Sequence, residues 1–247
     1  MDKFFGALPQ EPIFQTFSKT HIISLTIIAL IITILMNLPN DFFDFKQRRF
    51  ISKFIATVLL IQQVSLLSWY IFSGGFSFGE SLPLYICRLM AITSAFMLYF
   101  ESYDLFEIVY FMALPGAVLA LLTPDTGGFN FPHMMFFQFF IGHGFLVISI
   151  FYMIKVYGFK PTFSSFKKAI FWTMAYLVFT WCFNQLTGGN YSYLRHKPTT
   201  GTLMDLLGPY PFYLFELYFI YVFFYMLMII PFTNFKKFFN MKLADKS

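Results

Sequence analysis

The sequence predicts an all-α fold, a polytopic membrane helical bundle in which residues 1–247 form a single seven-helix transmembrane domain. Two observations predict it. The chain is 58% hydrophobic and only 12% charged, about half the charged fraction of a typical soluble domain, and its mean hydropathy is +0.66. The apolar residues are also gathered into runs of about 20, the length that crosses a bilayer. Such a composition excludes a soluble globular protein.

Seven apolar runs are candidate transmembrane helices. The third run is short, and the others have the ordinary length of a spanning helix. We find no internal repeat or low-complexity linker, and the loops are too short to fold alone, so one bundle is the expected architecture. The runs are His21–Leu38, Phe54–Phe72, Leu84–Tyr99, Leu105–Leu122, Met134–Ile154, Ala169–Gln185 and Tyr210–Ile230.

The lysine and arginine residues predict the orientation of the chain. In a seven-span arrangement twelve of them fall on one side, four fall on the other, and Arg88 lies within a span. The twelve lie in residues 46–53, 155–168 and 236–246, and the positive-inside rule places them in the cytoplasm. The N-terminus is then outside and the C-terminus inside. The formal net charge of +5 follows from the same pattern, so no nucleic-acid partner is predicted.

The two cysteines, Cys87 and Cys182, both lie in apolar runs. They form no CxxC pair and no zinc spacing, so we predict neither a disulfide framework nor a metal site, and we expect no cofactor. No small-residue cleavage site follows the first apolar run, so a secretory signal peptide is not expected. Cys182 is expected to be buried in the sixth span, without a functional role.

Ionisable residues inside a span are functional candidates, because a charge in hydrocarbon is costly. Arg88 and Glu216 lie at a similar shallow depth in the third and seventh spans. One interpretation is a structural ion pair between them. In the other, Arg88 faces a cavity and holds an anionic group such as a phosphate. Asp104 and Glu107, near the inner end of the fourth span, are interpreted as interfacial.

Cys87 and His143 are the candidates for chemistry. The neighbouring Arg88 would favour the nucleophilic thiolate, although a free cysteine in a core is also simply a small apolar residue. His143 lies between two glycines, which allow close approach, and is either an interhelical hydrogen-bond partner or a general base. At 1.5 Å per residue the predicted spans put Cys87 about 5 Å deep and His143 about 14 Å deep, so His133 is the alternative partner for Cys87.

Polar residues also converge on the predicted outer side. Residues 188–214 carry more Gly, Pro, Asn and Tyr than a plain connector needs, and form either a lid over the bundle or an interfacial loop with an aromatic belt. Together with the span residues they predict a pocket open to the outer leaflet. Its expected substrate-binding residues are Arg88, His133, Asn184, Asn190, Tyr191, Arg195 and Glu216.

Five segments carry a resemblance to a known family. In this order and spacing the chain resembles the YwaF-type integral membrane proteins of bacteria. These are related to a eukaryotic TMEM-type acyltransferase that moves fatty acyl chains between phospholipids and resembles a cysteine–histidine enzyme. The segments are LPLYICRL (82–89), ALPGAVLALLTPD (113–125), FPHMMFFQFFIGHG (131–144), GGNYSYLRHKP (188–198) and LMDLLGPYPFYL (203–214).

The resemblance implies a lipid acyltransferase or transacylase of the bacterial cytoplasmic membrane, with membrane lipids as partners. Carried over by motif, Cys87 takes the position of the nucleophile and His143 that of the histidine, whereas the relatives commonly have a histidine where this chain has Tyr85. The residues leave an alternative open. A non-catalytic transporter or receptor-like bundle would bind a lipid or small anionic ligand in the same pocket, and would tolerate a serine in place of Cys87.

Overall fold

A computed structural model describes residues 2–198 and 203–232 of the chain. Every regular element in that part is helical: one helix of four residues precedes seven long helices. The helices are α1 (Asp2–Phe5), α2 (Lys19–Asn37), α3 (Phe45–Phe72), α4 (Ile86–Phe100), α5 (Tyr103–Leu122), α6 (Met134–Val156), α7 (Phe163–Thr187) and α8 (Phe212–Ile229). Short 3-10 turns lie at Tyr191–Tyr193, Leu203–Leu206 and Ile230–Phe232.

The seven long helices coincide with the seven predicted apolar runs. Five of them, α2, α3, α5, α6 and α8, are long and apolar enough to cross a membrane. The other two differ from these in separate ways. Helix α4 has only 15 residues, about 22 Å of length, and α7 has 25 residues but is less apolar. The structure therefore supports a multi-pass helical membrane protein.

Helices α3 and α7 begin well before the predicted starts, and each early start has a local cause. Helix α7 begins at Phe163 and not at Ala169, because Thr162 and Ser165 form a reciprocal capping pair. Helix α3 begins at Phe45, well before the predicted Phe54, because the Asp44 side chain caps it in a reciprocal pair with Gln47. The prediction followed hydrophobicity and missed these charged first turns. Helix α4 begins at Ile86, later than predicted, and no side chain caps it. The chain before it, residues 73–85, is a non-helical loop.

Helices α5 and α6 form the centre of the bundle. Helix α5 packs against α4, α6, α7 and α8, and α6 packs against α2, α3, α4 and α5. Helices α2 and α8 lie at the edge, where most of their apolar side chains are exposed, as expected for helices that face lipid. Cys182 of α7 is also exposed, so the prediction that it is buried is wrong. The buried core includes Phe106, Phe111, Leu146, Ile150 and Met153.

The connections of the bundle define two ends. Residues 38–44, 101–102 and 157–162 connect helices at the end that is rich in lysine and arginine, and we name it the basic end. Residues 73–85, 123–133 and 188–211 connect helices at the opposite end, the loop end. The predicted lysine cluster of the C-terminal tail lies outside the described residues.

A buried carboxylate joins α5 to α7 at the basic end. Glu107 is only 2% exposed, accepts a hydrogen bond of 2.6 Å from Ser165 Oγ and contacts Lys168 Nζ directly. The same Lys168 reaches the exposed Asp104 at 3.1 Å. Asp104 is therefore exposed, whereas the helix packing encloses Glu107; that both lie at the membrane interface stays a prediction.

Candidate functional site

Cys87 and Arg88 are the second and third residues of α4. The helix begins after Tyr85, whose side chain makes no capping hydrogen bond. The first N–H groups of a helix have no acceptor within it, and the positive end of the helix dipole lies at the same place. The start of α4 therefore presents a thiol, a guanidinium and uncapped backbone donors together. These groups favour a thiolate or a developing oxyanion.

The Cys87 thiol faces the junction of α4, α5, α7 and α8. It is partly buried, and its sulfur lies 3.7 Å from the point where a Cβ on Gly116 of α5 would stand. Three side chains interact with it electrostatically: Arg88, Tyr176 of α7 and Tyr221 of α8. Both tyrosines are packed within the bundle, so the thiol lies among hydroxyl groups and not among apolar side chains alone.

The two glycines beside His143 let α6 pack closely on two helices. A Cβ at Gly142 would stand 2.5 Å from Nε2 of Gln62 on α3, and a Cβ at Gly144 would stand 2.9 Å from Cδ1 of Ile28 on α2. Successive side chains of a helix are 100° apart. These contacts therefore fix the rotation of α6 and set the direction in which His143 points.

His143 points into the bundle. Ile141, which lies 200° away around the helix, is exposed. The His143 Nδ1 atom lies 2.9 Å from the carbonyl oxygen of Phe139, and since a carbonyl only accepts, Nδ1 carries the proton. In the neutral ring Nε2 is then an unprotonated acceptor. No hydrogen bond from another described residue occupies Nε2, so it is available as a base.

Cys87 and His143 lie closer in depth than the predicted spans place them. His21 of α2 provides a common level, because its Nε2 is 2.8 Å from the Leu121 carbonyl oxygen and its ring centroid is 5.6 Å from that of Phe140. Gly116, which contacts the Cys87 sulfur, lies five residues from Leu121 along α5, about 7.5 Å towards the basic end. His143 lies three residues from Phe140 along α6, about 4.5 Å in the same direction. No hydrogen bond joins the two side chains.

Arg88 is the charged group that acts on both candidates. It interacts electrostatically with Cys87 and with His143. Its Nη1 donates to the carbonyl oxygen of Glu80 and its Nη2 donates to the hydroxyl of Tyr70, each at 3.0 Å. Both acceptors are neutral groups. The guanidinium is thus held in place without being neutralised.

The predicted ion pair between Arg88 and Glu216 is not formed. Glu216 Oε2 accepts a hydrogen bond of 2.8 Å from the backbone N–H of Gly208. This carboxylate is therefore bound to the loop before α8 and not to Arg88. The three ion pairs among the described residues all lie at the basic end. Arg88 therefore has no carboxylate partner in the described part of the chain.

Two predicted binding residues hold the loop of residues 188–198 in place. The Asn184 amide accepts from the backbone N–H of Tyr191 and donates to its carbonyl, both at 2.9 Å. Tyr191 is fully buried; its hydroxyl donates to the Phe78 carbonyl and accepts from the Leu82 N–H, again at 2.9 Å. The two residues therefore fasten this loop to α7 and to residues 73–85, above the start of α4.

Asn190 closes the turn that follows. Its Oδ1 accepts from the backbone N–H groups of Arg195 and His196 at 3.0 and 3.2 Å, and its Nδ2 donates to the His196 carbonyl at 2.9 Å. The guanidinium of Arg195 makes one long contact, 3.5 Å from the Gly189 carbonyl oxygen. Most of its donors are free among the described residues, so Arg195 is the second cation of the loop end that a ligand can reach.

His133 caps the N-terminus of α6. Its Nδ1 accepts from the N–H of Met135 at 3.1 Å, so its Nε2 carries the proton and donates to the Gly6 carbonyl at 3.0 Å. The ring stacks on Phe129 with centroids 4.3 Å apart, and desolvation lowers its pKa below the ordinary value. Both ring nitrogens are occupied, so we leave His133 out of the proposed site as a ligand and as the partner of Cys87.

Sequence reasoning missed the side chains that surround Arg88. The guanidinium carbon lies 5.5 Å from the ring centroid of Tyr70 and 4.8 Å from that of Tyr85, within the range of a cation–π contact. Gln63 donates to Oε1 of Gln62 at 2.6 Å. Because Gln62 and Gln63 are adjacent amides in an apolar run, the sequence alone could have marked them as candidates for a polar site. The contact with Tyr70, eighteen residues before Arg88, has no such signal.

The fold and the site define a multi-pass helical membrane protein with a polar site at the loop end of its bundle. A family model described as the TMEM164 family matches residues 16–229, and the chain belongs to that family. The matched range contains all seven long helices and every candidate site residue. A search of curated proteins and a search of solved structures returned no match.

Proposed function

We propose that the protein is a lipid acyltransferase or transacylase, with Cys87 as the nucleophile and His143 as the base. The observation that carries this proposal is the position of Cys87 at the uncapped N-terminus of α4, beside Arg88. The helix dipole, the guanidinium and the free N–H groups oppose the cost of burying a thiolate. The inward-facing Nε2 of His143, at a similar depth, supports the same proposal.

In the proposed reaction the Cys87 sulfur attacks the carbonyl carbon of a phospholipid ester, while His143 holds the proton released by the thiol. The ester C–O bond breaks, the departing alkoxide takes that proton, and the acyl group remains as a thioester. The hydroxyl of an acceptor lipid then attacks the thioester carbon, and His143 accepts its proton. The C–S bond breaks and the thiol is restored. Since the two side chains are not in contact, the thiol proton has to pass to His143 before the donor ester is attacked. In the second step the acceptor hydroxyl lies between the thioester carbon and His143, and the proton that His143 accepts returns to the sulfur.

We also propose that all seven long helices cross the membrane, with the basic end in the cytoplasm and the loop end outside. The distribution of lysine and arginine supports this orientation. In a bacterial cytoplasmic membrane the site would then act on lipids of the outer leaflet. A reporter that works only in the cytoplasm should be active when it is fused to the C-terminus. Activity of a C-terminal reporter that works only outside the cytoplasm would contradict the orientation.

The test of the chemistry is to trap the acyl-enzyme. The purified chain in nanodiscs is mixed with a phospholipid that carries a labelled acyl chain and with a lysophospholipid acceptor. We expect an added acyl mass on Cys87 in the intact protein, and labelled product lipid. Cys87→Ala should abolish both. His143→Ala should slow transfer by about 10²–10⁴-fold, the usual contribution of general base catalysis.

Cys182→Ser is the matched control, because Cys182 is the second free cysteine and is exposed on α7. It should leave the acyl adduct and the product lipid unchanged. Full transfer by Cys87→Ala, or an adduct that depends on Cys182, would overturn the proposed nucleophile. If lipid binds but neither the parent protein nor any variant transfers acyl groups, the site is that of a non-catalytic lipid-binding protein.

A further inference from the structure

Arg88 lines a cavity at the junction of α3 and α4 whose other lining residues are neutral. The cavity has a volume of about 210 Å³, and Leu60, Val64, Leu67 and Ile92 form much of its wall. Three of these apolar side chains, Leu60, Val64 and Leu67, are themselves exposed on the outside of the bundle. The cavity is therefore a groove that opens sideways between the two helices, with one positive charge inside it.

No carboxylate of the described residues lies within ion-pair distance of Arg88, although Glu80, whose carbonyl it binds, carries a charge nearby. The two hydrogen bonds of Arg88 go to a backbone carbonyl and a phenol, so three of its five N–H donors are left. A guanidinium within a membrane is costly unless it is paired. Its planar fork fits the oxygens of a phosphate or a carboxylate, while the rings of Tyr70 and Tyr85 hold its position without supplying charge.

A second cavity continues the groove along the outside of α3. It has a volume of about 950 Å³ and shares Leu60 and Val64 with the first. Phe4 and Phe5 of α1 form its far wall. Trp69 also lines it, and the indole Nε1 is buried without a hydrogen-bond partner. The groove thus combines a long, mainly apolar path with the unused donors of Arg88, an arrangement that fits an amphiphile and not a free ion.

We propose that Arg88 binds the phosphate of a membrane phospholipid whose acyl chain lies in the groove between α3 and α4. In a glycerophospholipid the phosphate and the acyl ester are only a few bonds apart, and Arg88 and Cys87 are adjacent on the first turn of α4. Cys87 itself does not line this groove, so the ester of an anchored lipid reaches the thiol around the start of α4. The statement that this lipid is the acyl donor rests on the proposed function, whereas the lipid site itself does not.

Lipid binding to the intact chain tests the proposal without requiring turnover. The purified protein is titrated with phosphatidylglycerol and with diacylglycerol, which has the same chains and no phosphate, and bound lipid is counted by native mass spectrometry. We expect the parent to prefer the phospholipid. Arg88→Gln should weaken phospholipid binding about tenfold or more, as expected for one charge-assisted hydrogen bond, and leave diacylglycerol binding unchanged. Arg88→Lys should give an intermediate value.

Two further variants keep the test decisive. Lys19→Gln removes an exposed cation of the loop end, at the start of α2, and should retain the phospholipid. Val64→Trp fills the groove from its exposed side and should weaken both lipids while Arg88 is intact. Equal phospholipid binding by Arg88→Gln and the parent would overturn the proposal. Competition by inorganic phosphate at the same concentration as the lipid would also overturn it, because the site would then take a free anion.

The lipid site and the acyl-transfer chemistry can fail separately. Cys87→Ser should bind phosphatidylglycerol like the parent, which supports the site whatever the outcome of the transfer assay. If the parent transfers acyl groups but Arg88→Gln does so at the parent rate, the chemistry stands and the phosphate site is refuted.

Discussion

The replacement Asn184→Leu should destabilise the protein more than any other change at the loop end. Leucine has the same branched, four-heavy-atom side chain as asparagine but is larger, so a modest overpacking cost adds to the loss of the amide. The replacement removes both hydrogen bonds to Tyr191. The Tyr191 N–H is left buried without a partner, while its carbonyl keeps only the 3.4 Å hydrogen bond from the Leu194 N–H. An orphaned group costs about 1–3 kcal/mol and a lost hydrogen bond about 1 kcal/mol, so the free energy of unfolding should fall by about 2–4 kcal/mol.

Thermal unfolding in nanodiscs measures this loss. For a chain of this size the lower figure corresponds to a fall in the melting temperature of about 5 °C. Asn37→Leu is the matched control, because Asn37 makes one exposed side-chain bond, 2.8 Å to the Thr33 carbonyl, and its loss should change stability by less than about 0.5 kcal/mol. If Asn184→Leu melts together with Asn37→Leu, the loop is not held by this amide and the reasoning is refuted.

Three other replacements test the packing, the basic end and the cap of α6. Gly142→Ala should cost about 1–3 kcal/mol, since its methyl would strike a hydrogen-bonded glutamine side chain. Gly144→Ala meets the end of the Ile28 side chain, which makes no hydrogen bond, and should cost less in the same melting assay. Glu107→Gln should cost about 1–3 kcal/mol in denaturant unfolding, whereas the exposed Asp104→Asn should cost less than about 1 kcal/mol. Burial holds the pKa of His133 below 6.5. Its contribution to the free energy of unfolding is therefore complete above about pH 6.5 and is lost as the pH falls through the folded-state pKa. His133→Asn, a cap that does not titrate, should flatten that pH dependence.

The sequence was sufficient to predict the long helices because most of them are long and apolar throughout. Burial in lipid requires about 20 apolar residues and an internally bonded backbone, and both demands are local. Helix ends depend on caps, and here the prediction was poorer. Asp44 extends α3 towards the basic end, while the missing cap at Tyr85 accompanies the late start of α4.

The candidate site was predicted in part. The residue types and the adjacency of Cys87 and Arg88 are visible in the sequence, and the structure places both at one helix end. The roles of His133 and Asn184 were not visible, because a buried polar side chain binds whichever backbone group the fold brings to it. Once Gly6 and the loop of residues 188–198 dock onto the bundle, these side chains are occupied.

By itself the sequence determined that the chain is a bundle of apolar helices, with one arginine and one cysteine side by side near a span end. Only the tertiary structure decided what Arg88 contacts. Its partners, Tyr70 and the Glu80 carbonyl, lie on a preceding helix and loop, and Glu216 is bound elsewhere. The physical reason is that a charge takes the partners that packing brings within about 3 Å, and that distance is set by how seven helices fit together, not by the order of residues in any one of them.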